Sequence, residues 1–73
     1  MASFLVVIEK GQHSYGTYSP DLPGCVAVGD TVEEVEQRMR EAILLHLEGL
    51  REDHFPLPQP TSRAEYIDVS IPA

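Results

Sequence analysis

The alternation of apolar and polar positions divides the chain into five stretches. Residues 3–9, "SFLVVIE", are rich in β-branched and aromatic side chains and predict a strand. Phe4, Val6 and Ile8 share one face, and Leu5 and Val7 the other. Two apolar faces suit a strand in the middle of a sheet rather than at its edge. "KGQH" reads as a hairpin turn, and residues 14–19, "SYGTYS", as a second strand returning antiparallel, with Tyr15 and Tyr18 on opposite faces. After the turn "PDLPG", residues 25–29, "CVAVG", form a short third strand. The apolar step then changes. Val32, Val35, Met39, Ala42, Ile43, His46 and Leu50 recur every three or four residues and predict a helix from Val32 to about Leu50, with Glu34, Arg38, Glu41 and Glu48 on its wet side. Leu44 and Leu45 fall outside the centre of that stripe, which is either chance or a contact surface, and the small size of the chain favours contact.

Local chemistry supports these boundaries. Thr31 is the expected N-cap and Glu34, three residues on, completes a capping box, the cap alone contributing ~1 kcal/mol. Asp30, Glu33 and Glu34 also suit the positive end of the helix dipole. Beyond the helix, Pro56, Pro58 and Pro60 impose an extended path that reads as a stiff tether. Residues 65–71, "EYIDVSI", alternate cleanly, with Ile67, Val69 and Ile71 on one face, and predict a half-buried fourth strand. The expected fold is α+β in the order β-β-β-α-β: three antiparallel strands, one helix on one face, and a fourth strand parallel to the first by a right-handed crossover.

Size makes such a fold marginal. The chain has 73 residues, one domain over 1–73, and a domain this short buries only ~60% of its unfolded surface. Disulfides, metals or partner subunits usually make up the deficit. A single cysteine forms no internal disulfide, and no cysteine–histidine cluster has zinc spacing. A homodimer or homotetramer is therefore expected. The formal charge of −7 repels nucleic acid and favours a basic protein partner. No basic stretch precedes the first apolar run, and no segment approaches the ~18 apolar residues that cross a bilayer. The expectation is a cytoplasmic protein with no membrane partner and no direct nucleic-acid binding.

The chemical candidates are few. Cys25 has Asp21 and Asp30 as its nearest charged neighbours in sequence, which disfavour a thiolate, so it reads as a small apolar filler rather than a nucleophile. His46, on the apolar stripe, reads as a core residue whose ring bonds backbone carbonyls. His13 and His54 have no ligand partner at helical or strand spacing. A two-metal nuclease needs acids converging from strand centres, and the first strand offers only Glu9, at its end. No catalytic residue, metal or cofactor is expected.

Three stretches in order, "YSPDLPGCVAVGDTVEEV", "REAILLHLEGL" and "PLPQPTS", resemble the HicB family of type II antitoxins over nearly the whole chain. The resemblance implies a truncated ribonuclease H-like fold and an antitoxin that masks a small basic HicA-type mRNA-cleaving toxin. Family members commonly carry a further operator-binding domain, whereas this sequence ends at "VSIPA" after the fourth predicted strand. Two other readings are an orphan adaptor and a residual metal-dependent nuclease on the same scaffold. The turn Pro20, Asp21, Leu22, Pro23, Gly24 and Cys25 is expected to be structural, with Asp21 bonding within its own loop. Asp21, Glu33, Glu34 and Leu44 are the expected partner-facing residues.

Overall fold

The computed structural model describes residues 2–72. Three strands, β1 (Val7–Lys10), β2 (Tyr15–Ser19) and β3 (Leu22–Gly29), precede one helix, α1 (Val32–Glu52). The sheet is antiparallel with spatial order β1-β2-β3, Val7 facing Tyr18 and Tyr18 facing Val26. The helix covers one face. Leu22, Cys25 and Met39 form the buried centre, with Phe4, Val6, Ala27, Ala42, Ile43 and Leu47 packed around them. The period-two alternation places Leu5, Val7, Tyr18, Val26 and Val28 on the other face, where both valines are exposed.

The turn "PDLPGC" has a specific geometry. Between Tyr18 and Ser19 the register jumps: Ser19 pairs with Leu22 but Tyr18 pairs with Val26, so Pro23, Gly24 and Cys25 bulge out of the ladder. Proline suits that position because it has no N–H to donate. Gly24 has φ +84°, a left-handed value that costs a side chain-bearing residue ~1–2 kcal/mol. The bulge turns Leu22 and Cys25 inward, where both are buried. The third strand thus starts three residues earlier than its apolar run suggests.

At the other end of β3 the chain enters α1 tightly. A Cβ on Gly29 would lie 3.0 Å from the Val35 backbone nitrogen. Thr31 caps the helix by accepting the Glu34 N–H at 3.1 Å. The Glu34 carboxylate accepts the N–H of Asp30, one residue before the cap, also at 3.1 Å, which is the reciprocal bond shifted by one position. The helix ends two residues later than expected. His54 takes φ 60°, its N–H donates to the Arg51 carbonyl and that of Phe55 to the Leu50 carbonyl, a Schellman closure with histidine in the usual glycine place. Pro56 then prevents continuation.

Two expectations fail here. The fourth strand does not join the sheet: residues 55–72 carry no regular secondary structure and nearly all are exposed, Ile67 at 79%, Val69 at 75% and Ile71 at 88%. With the fourth place empty, β1 lies at the edge of the sheet instead of its middle. A strand's own pattern selects its conformation, but its place in a sheet depends on distant pairing. The arm elongates the molecule, with a radius of gyration of 14.9 Å against the ~11 Å of a compact chain of this length.

Candidate partner interface

Among the described residues, no three histidine, cysteine or acidic side chains come together as metal ligands. Cys25 is buried, and burial pushes its thiol above the ordinary range. His46 is half-buried beside Cys25, Gly24, Val26, Ala42 and Leu45. The backbone-carbonyl bonds expected of its ring are not among the side-chain hydrogen bonds of the described residues.

Asp21 does not bond within its own loop. Its carboxylate accepts the Ser62 N–H at 3.0 Å and hydroxyl at 2.8 Å, and the Thr61 N–H and hydroxyl at 3.2 Å each. The Ser62 amide, then its hydroxyl and those of Thr61, hold this carboxyl below its usual range. Asp21 therefore fastens the root of the C-terminal arm to the β2–β3 turn. The partners were hidden in sequence because forty residues separate them from Asp21. "TS" after Pro60 offered four donors with no indication of what would accept them.

Nor are the expected partner-facing residues one cluster. Asp21 follows Ser19 at one end of the sheet, while Glu33 and Glu34 follow Gly29, which pairs with Tyr15 at the other. The length of β2, ~13 Å, lies between them. Glu34 is further committed to the cap and to an ion pair with Arg38 at 3.2 Å. Arg38 also donates to the Val28 carbonyl at 2.8 Å, pinning the helix to β3.

A continuous surface does form on the outer face of α1. Leu44 is 56% and Leu45 71% exposed. The neighbours that both leucines share at three- and four-residue steps are Glu41 and Glu48, both exposed, while the exposed Arg40 lies four residues before Leu44. Glu33 and Gln37 extend the same face towards the helix start. Gln37 bridges Arg40 and Glu41 with bonds of 3.1 and 3.2 Å. Apolar area rimmed mainly by carboxylates, with Arg40 as the one cation at its edge among the described residues, suits association with a molecule of positive charge. Leu44 also borders a groove of about 740 Å³ between α1 and β1, lined by Phe4, Val6, Ile8, Met39, Ile43 and Leu47.

The fold and the charge define a class: a small acidic α+β module of three antiparallel strands and one helix. A family described as the HicB-like antitoxin of bacterial toxin–antitoxin systems matches residues 4–70, and the chain belongs to that family. It is 40% identical over 63 residues to an uncharacterized 14.9 kDa protein of Haemophilus phage HP1, the match covering 86% of this chain and 47% of that one. The chain thus spans about half the length of that relative. A UPF0150 protein of Synechocystis is 40% identical over 58 residues, covering 78% of this chain and 73% of its own. Among solved structures, a chain of a HicA3 and HicB3 toxin–antitoxin complex matches with a TM-score of 0.65 and 31% identity, over 81% of this chain and 72% of that one.

Proposed function

We propose that this chain is an antitoxin that neutralises a small basic HicA-type toxin by covering its RNA-binding surface, without chemistry of its own. The observation that carries the reading is the outer face of α1, where Leu44 and Leu45 stand between Glu41 and Glu48. A cationic toxin is steered by the −7 charge and anchored by burial of the leucines. The family and the structural match to a toxin–antitoxin complex support this reading. It places the protein in the cytoplasm, where such a toxin acts. No described helix is long and apolar enough to cross a membrane. Operator binding is not assigned to residues 1–73, which we take as one HicB-like domain.

The test is to search the neighbouring reading frame for a short basic protein and, with that protein, to measure its binding to the full chain. Glu41→Lys with Glu48→Lys is expected to weaken the complex at least tenfold, mainly by slowing association, and to flatten its salt dependence. Leu44→Asp is expected to speed dissociation. Unchanged affinity in both variants would refute this interface. Turnover of RNA by the purified chain with magnesium or manganese would refute action without chemistry.

A further inference from the structure

Two parts of the chain are strand-like and unpaired. Residues 65–71 alternate Ile67, Val69 and Ile71 with Asp68 and Ser70, yet all three aliphatic side chains stand in solvent. The outer edge of β1, with the "FLVVI" run that leads into it, has the two apolar faces of an interior strand. It carries no proline, bulge or inward charge, the devices that blunt an exposed edge. The opposite edge, β3, is blunted by Pro23, by the bulge at 23–25, and by Arg38 on the Val28 carbonyl. Beside β1 the groove lined by Phe4, Val6, Ile8, Ile43 and Leu47 lies open along the helix flank. Seven residues of arm and seven from Phe4 to Lys10 are each ~23 Å long as strand.

The arm is fastened away from its own vacancy. Asp21 holds Thr61 and Ser62 at the β2–β3 turn. The three residues from Ser62 to Glu65 reach at most ~10 Å. Crossing β2 and β1 to the fourth-strand place takes roughly 12 Å. We infer that residues 65–71 of one copy lie along β1 of a second copy as the fourth strand of its sheet, and that the second copy's arm does the same in return. Ile67, Val69 and Ile71 then cover the groove, and Asp68 and Ser70 face water. Edge and arm belong to the same chain, so the exchange is self-complementary and closes as a two-fold dimer. It also supplies the core that a folded part of some fifty residues lacks by itself.

The full chain is expected to scatter light at twice its 8.1 kDa mass at micromolar concentration. Ile67→Asp with Val69→Asp is expected to raise the dimer dissociation constant roughly a hundredfold or more and to lower the melting temperature, with the helix signal in circular dichroism retained in the cold because neither side chain packs on the fold of its own chain. In a mixed sample of isotope-labelled and unlabelled chains, intermolecular methyl contacts are expected between Ile67 or Val69 and Val6 or Ile8. Three results would each overturn the exchange: a wild-type monomer, a dimer unaffected by the arm variant, or those methyl contacts arising within one chain. None of the measurements involves a toxin, so they are independent of the antitoxin reading.

Discussion

Gly24 and His54 are the residues among 2–72 whose backbones take left-handed angles, at φ +84° and +60°. They make opposite forecasts. A Cβ on Gly24 would meet nothing within 4 Å, so Gly24→Ala introduces no clash and reads the backbone cost alone, ~1–2 kcal/mol. Loss of that much from a domain of this size lowers the melting temperature by roughly 4–16 °C, at 4–8 °C per kcal/mol. At His54 a side chain already bears the cost, so His54→Gly removes it and is expected to stabilise by a few tenths to about 1 kcal/mol, less than the full penalty because glycine gives the unfolded chain more freedom. Urea unfolding followed by circular dichroism should move the midpoint down for Gly24→Ala and up for His54→Gly at unchanged slope, with protein concentration held fixed because association shifts the apparent stability. Equal shifts of the same sign in both variants would refute the assignment of bulge and cap to left-handed geometry.

Three further outcomes follow from single side chains. Because the folded carboxyl of Asp21 titrates below its unfolded value of about 3.8, its clamp on Thr61 and Ser62 contributes fully above that pH and is lost as pH falls through the folded value; the protection of the Thr61 and Ser62 amides, taken relative to their intrinsic exchange rate at each pH, should fall there, and protection constant through the acid range would count against the clamp. Cys25, buried with a raised thiol, should resist aromatic disulfide reagents at neutral pH until the chain is unfolded, and immediate stoichiometric labelling of native protein would contradict its place in the core. The buried Thr17 hydroxyl has no hydrogen-bond partner among the described residues, so Thr17→Val should stabilise by about 1 kcal/mol, and destabilisation would show that it is satisfied in solution.

What was legible in the sequence was whatever neighbours in the chain decide. The helix from Val32 and its Thr31 cap follow from spacing over four residues, and the hairpin joining β1 to β2 from a short polar turn. The start of β3 was misplaced because a proline and a left-handed glycine read as turn residues, whereas here they sit in a bulge inside the strand. The alternation at 65–71 was visible, but alternation specifies a strand's faces and not which edge receives it. Asp21 was legible as a turn acid, and its partners forty residues on were not. Leu44 and Leu45 stood out by angle on the helix, since the core stripe excluded them.

The sheet face turned away from α1 leaves Val26 and Val28 bare beside Tyr18, and what separates two such faces in solution is mutual repulsion between acidic molecules. That protection is colloidal and not built into the fold. Near the isoelectric point, or in high salt, it fades while the valines remain, so handling of the protein is governed by buffer as much as by its fold. Polar replacements at Val26 and Val28 would widen the workable range without touching the buried layer beneath.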